Sequence, residues 1–196
     1  MKLNRWIILI MALMLGVMPA ACAETDAAAP GEEQWFDGTV EEPCFMALTL
    51  GAPKGDALAA LAEKGYEAGA AMVAEYEYGK ERLVTRFKWS DADWYGEPCE
   101  VRAYFAEEKT LGLGVLFERE PDEALSALIE TVYARLKEVY GESDAPLSLP
   151  ESWPDICLKD VPLAVWSFED EPRVLLVWQV SKDGLVQMEA RIGEVT

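Results

Sequence analysis

The residues of this chain whose types and spacing could do chemistry are concentrated in one segment, Trp89-Ser-Asp-Ala-Asp-Trp-Tyr-Gly96. Aromatic faces beside carboxylates can stack a sugar ring and accept its hydroxyl protons. Trp89, Asp91, Asp93, Trp94 and Tyr95 are therefore the candidate ligand-binding residues. Asp91 and Asp93 also offer oxygens of the kind that hold calcium, but no full calcium-loop pattern follows and no metal site is expected. A competing reading makes the same residues structural. In it, Trp89 ends a strand facing inward, Trp94 and Tyr95 cover the edge of the core, and the aspartates face water. Tyr76 and Tyr78 fall on one face of a neighbouring strand, with Glu75 and Glu77 on the other. Left uncovered by a helix, that face would suit a partner, because Tyr is enriched at interfaces.

Most other chemistries drop out. None of the 196 residues is a histidine, which removes Ser-His-Asp and Cys-His catalysis, His-containing zinc motifs and every His general base. Paired carboxylates occur at Glu32-Glu33, Glu41-Glu42, Glu107-Glu108 and Glu169-Asp170-Glu171. A glycosidase needs two facing each other across a cleft, whereas these fall at expected turns or in a solvated leader. No Ser-x-x-Lys and no Cys-x-x-Cys is present. The expectation is a protein that is not an enzyme and needs no cofactor.

The first 23 residues indicate where the protein works. Lys2 and Arg5 precede an apolar run, Trp6 to Met18, and Pro19 and Ala21-Cys22-Ala23 close it. That is the layout of a bacterial export signal, and the run is shorter than the roughly 20 residues of a membrane span. Two processing routes compete. Cleavage after Ala23 discards Cys22, while cleavage before Cys22 leaves it as a lipidation site and converts a secreted protein into a surface-anchored one. Residues 24–40, rich in Ala and acidic side chains, read as a flexible tether. Residues 41–196 then form a single domain. Secretion or surface anchoring outside the cytoplasm is the expected localisation.

Composition sets further bounds. Apolar residues make up 51 % of the chain, as in a globular protein. The net charge is −19, from 17 basic and 36 acidic residues. Nucleic acid is excluded as a partner, because its phosphates need a basic footprint. Contact with a membrane is expected only through a lipid anchor. Export permits one disulfide among Cys44, Cys99 and Cys157, and three reduced, buried cysteines are the alternative.

The elements needed to position these residues follow from periodicity. Pro43 to Leu50 reads as a strand. Asp56 would cap a short helix with the stripe Leu58, Leu61 and Ala62, ending at Gly65. Strands are expected over 71–78, 82–89, 99–105 and 111–117. A long helix follows Pro121, with Leu125, Leu128, Ile129, Val132, Leu136 and Val139 at spacings of three and four and Gly141 as its stop. Three more strands, 163–168, 173–180 and 185–192, include a hairpin at Asp183-Gly184. The fold class is α+β, an antiparallel sheet with two helices packed on one face. Helix plus about four strands occurs twice, so a diverged tandem repeat and a single unrepeated domain are both open readings.

The Leu50-Gly-x-x-Lys54 run before a short helix ending at Gly65, then a meander, then a long helix ending in Tyr140-Gly141, resembles small exported proteins of Gram-positive bacteria whose function is unknown. Their architecture is similar to that of beta-lactamase inhibitor protein and of small outer-membrane-assembly lipoproteins. The resemblance covers residues 44 to 192 in layout. It implies a non-catalytic binding domain and carries over no functional residue. The expected function is an exported binding domain of the bacterial envelope that meets an unknown protein or glycan through its sheet face. The alternative is a carbohydrate-binding module using the Trp89–Tyr95 segment.

Overall fold

A computed structural model describes residues 34–78, 82–169 and 171–193. The export signal, Cys22 and the first part of the tether lie outside the described residues. The rest of the tether does not: Phe36–Gly38 is the first strand, β1, and Trp35 and Phe36 are buried in the core. The folded body thus begins before residue 41. Two adjacent aromatics bury enough apolar surface to override the polar composition around them.

β1 pairs with β2 (Pro43–Phe45), and β2 with β3 (Leu48–Thr49), in a small antiparallel sheet. The single strand expected over 43–50 is therefore a hairpin. Met46 and Ala47 turn it, both at positive φ, a conformation their side chains do not advertise. The first helix, α1, spans Lys54–Glu63 and buries Ala57 and Leu61. It starts at Pro53 rather than Asp56, because the chain before it is already held: the Lys54 amide donates to the Glu108 carbonyl at 2.9 Å and the Gly51 amide to that of Thr110 at 2.8 Å.

The main sheet has seven antiparallel strands: β4 (Met72–Tyr78), β5 (Arg82–Trp94), β6 (Glu97–Ala106), β7 (Lys109–Arg119), β8 (Cys157–Phe168), β9 (Glu171–Val180) and β10 (Val186–Ile192). Their spatial order is β4-β5-β6-β7-β10-β9-β8. Two meanders thus meet back to back at β7 and β10, with the long helix α2 (Glu123–Tyr140) crossing between them. The order is what a mirrored pair of meanders would give, although the second has three strands against four in the first.

Helix α2 forms as its sequence requires. The Asp122 side chain accepts from the Leu125 amide at 2.9 Å, and Gly141 ends the helix at φ +80°. Leu125, Leu128, Ile129, Val132, Leu136 and Tyr140 are its buried stripe, each contributing about 1.5–3 kcal/mol of apolar burial. Both helices and the small sheet share one core with the inward face of the large sheet, including Phe87, Val115, Phe117, Trp166, Leu176 and Met188. The Tyr140 hydroxyl lies 2.9 Å from the Asp37 carbonyl oxygen and 3.2 Å from that of Cys44, tying the small sheet to the end of α2. The other face of the large sheet has no helix over it among the described residues.

Gly114 sits where the two meanders touch. A Cβ there would run into the Ala190 carbonyl oxygen and lie 2.6 Å from Arg191 Cβ. Gly114→Ala is expected to push β7 from β10 and cost about 1–3 kcal/mol. This would be read as a lowered urea midpoint at constant slope.

Candidate functional site

The segment singled out for chemistry lies within β5, not in a loop. Two residues, Ser90 and Asp91, oppose Glu100 alone between the Trp89–Val101 and Ala92–Cys99 pairs, with Asp91 at φ +67°. This β-bulge resets the alternation. Strict period two would send Asp91 and Asp93 to the core side with Trp89; the bulge sends Ala92 and Trp94 there instead and leaves both aspartates exposed. Trp89 is 4 % exposed and donates through Nε1 to the Glu67 carbonyl at 2.8 Å. Trp94 is 5 % exposed, with Trp35, Phe36, Tyr95 and Phe117 around it. A sugar-stacking platform made of Trp89 and Trp94 is therefore not presented to solvent. Asp93 is used locally, accepting from the Gly96 amide at 2.8 Å in a two-residue turn formed by Tyr95 and Gly96, both at positive φ.

Trp94 and Tyr95 do meet in a groove of about 300 Å³ against α2, where Arg135 stacks 4.6 Å from the Tyr95 ring centre. Trp94 Nε1 is buried there without an acceptor among the described residues. Trp89, Asp91 and Asp93 do not line this groove. No three metal-ligating side chains gather among the described residues. Nor does a disulfide join Cys44, Cys99 and Cys157. Burial, with Asp93 nearby, pushes the Cys99 thiol up to about 12, which disfavours its thiolate.

A second constellation lies on the uncovered face of the large sheet. Arg102 on β6, Gly114 on β7 and Arg191 on β10 are direct cross-strand neighbours. One step along, Glu100, Leu116 and Glu189 form the next row, and Tyr104 pairs with Gly112 on the other side. Two glycines on the central strand leave the floor between the guanidiniums without side chains. Glu189 is the hub. It accepts from the Tyr104 hydroxyl at 2.8 Å, from Arg102 Nη1 at 3.3 Å and from Arg191 Nη1 at 3.5 Å. Asp160 on β8 takes Arg191 Nη1 at 2.9 Å, and Glu100 takes Arg102 Nε at 2.7 Å and Lys88 at 3.0 Å. Arg102, Glu189 and Arg191 are 6 %, 5 % and 2 % exposed.

Arg102, Tyr104, Asp160, Glu189 and Arg191 border a concavity of about 470 Å³, with Tyr76, Arg86, Leu158, Lys159 and Gln179 completing its wall. Tyr76 is on the edge strand β4 and Leu158 on the opposite edge strand β8, so the sheet curls to bring its edges toward one hollow. Burial opposes charge on Arg102 and Arg191, but Glu189 and the other acceptors outweigh it, and both guanidinium pKa values are raised. Burial also raises the Tyr76 and Tyr104 hydroxyls, which remain donors at neutral pH.

The sequence did carry a trace of this site. Glu100-x-Arg102-x-Tyr104 and Glu189-x-Arg191 are charged or polar at every second position between buried apolar residues. Two strands with buried apolar residues on one face and ionic ones on the other mark a sheet with a built polar side.

Two expectations follow. Glu189→Ala leaves two buried guanidiniums without their shared counter-charge and is expected to cost about 3–5 kcal/mol in denaturant unfolding. Burial alone would raise the Glu100 carboxyl, but Arg102 and Lys88 prevail and hold it below the usual carboxylate range. A carboxyl lowered on folding stabilises above its unfolded value and loses that contribution as pH falls through the folded one. Glu100→Gln should therefore destabilise at neutral pH, with the gap to wild type closing below about pH 4. Urea midpoints across the acid range check this. Compared with protein-family models, with curated proteins and with solved structures, the chain yields no match in any of the three.

Proposed function

We propose that this chain is an exported, non-enzymatic binding domain of the bacterial envelope that engages its ligand or partner through the uncovered face of the large sheet. The observation that carries this reading is the hollow on that face, whose charged walls are held by charge-assisted bonds around Glu189. Such pre-organisation suits binding, since little side-chain ordering is left to do on association. With no histidine in the chain, this face has no imidazole to act as a general base. Export rests on the Lys2–Ala23 segment. Among the described residues, no helix is long and apolar enough to cross a membrane.

The test is capture from the envelope and medium of the producing cell on the immobilised mature chain. Tyr76→Ala and Gln179→Ala, on the sheet face, should reduce the captured species by about tenfold or more. Arg135→Ala, on the α2 side, should not. Capture lost only with Arg135→Ala, or nothing captured by any form, overturns the reading.

A further inference from the structure

We infer that the hollow on the sheet face is a carboxylate-binding site, built around the side-on edge of Arg191 and suited to a small organic acid. This deepens the reading above and rests on it. A guanidinium offers two parallel donors on the edge formed by Nε and Nη2, the pair that matches the two oxygens of a carboxylate. In Arg191, Asp160 and Glu189 occupy Nη1, while Nε and Nη2 are buried with no acceptor among the described residues. A buried charged donor left without an acceptor costs more than a neutral one. The fold nevertheless holds Arg191 in this state, at the wall of a cavity. Arg86 repeats the pattern: its Nε is also buried without an acceptor, on the same wall.

Charge agrees. Arg86, Arg102, Lys159 and Arg191 line the hollow against Asp160 and Glu189, a local positive excess in a chain of net charge −19. That excess suits an anion, and the flat pair of parallel donors on one guanidinium edge matches the two oxygens of a planar carboxylate. Size agrees too, since about 470 Å³ lies within the range of small-ligand pockets. Tyr76 and Leu158 supply an aromatic and an aliphatic wall for the body of the acid.

The test is a titration of the nitrogen-15-labelled mature chain, following the arginine Nε–H resonances. Benzoate and acetate are the carboxylate probes, with benzamide as neutral control, inorganic phosphate as dianion control, and a short peptide with a free or amidated C-terminus as the alternative source of a carboxylate. Benzoate should shift the Arg191 Nε–H signal saturably, and benzamide should not. Arg191→Lys keeps the charge but loses the parallel donors, and should weaken benzoate binding by about tenfold or more. Should that variant fail to fold, Arg86→Gln, at a half-exposed position, should weaken binding severalfold with the fold intact. No saturable shift with any carboxylate, or phosphate binding as tightly as benzoate, overturns the inference. Preference for the free-terminus peptide over benzoate keeps the carboxylate and overturns the small acid. Capture that depends on Tyr76 and Gln179, with no carboxylate titrating Arg191, sinks this inference alone. Loss of both sinks the sheet-face reading as well.

Discussion

Seven residue pairs between β7 and β10 join a meander built from residues 72–119 to one built from residues 157–192. Neither meander alone holds the polar hollow, whose lining comes from both. At this seam the backbones must approach closely, and Gly114 permits it by having no side chain to set against the Ala190 carbonyl. The same missing side chain opens the floor between Arg102 and Arg191. A steric requirement of strand pairing and the shape of the candidate site are thus one feature seen from two sides.

Electrostatics reinforce the seam at a cost. Taking Arg102, Glu189 and Arg191 out of water is expensive, and an ion network of this kind rarely stabilises a fold more than apolar residues of similar volume would. What it supplies is fixed geometry. Glu189 belongs to β10 yet bonds to Tyr104 and Arg102 on β6, across the intervening β7. A slip of one residue between β7 and β10 would carry Glu189 and Arg191 to the apolar side, where nothing could receive their charge. The network therefore favours a single register at the junction.

Much of the fold could be read from residue patterns. The α2 stripe, the hairpin at Asp183-Gly184 and the α+β class with helices on one face all follow from local periodicity. What escaped has identifiable causes. Trp35 and Phe36 stand in an acidic, alanine-rich stretch whose average composition hides two core residues. Met46 and Ala47 turn a hairpin without turn-type side chains. The bulge at Ser90–Asp91 changes the parity of β5, which no period-two reading of Trp89 to Trp94 could supply. The sheet-face hollow was the least legible feature. Its two halves are more than eighty residues apart, and only the strand order brings them to either side of β7. The candidate aromatic segment was conspicuous because its residues are adjacent in sequence, and adjacency proved a poor guide to which side chains face solvent.

The strand order has a consequence in time as well as in space. β10, which follows the other described strands in sequence, is inserted in the middle of the sheet between β7 and β9, not added at an edge. Until residues 186–192 dock, β7 presents an unpaired backbone rim beside apolar Leu113, Val115 and Phe117, the kind of rim on which foreign strands assemble. The segment that completes the pocket is thus also the one that covers this rim against foreign strands.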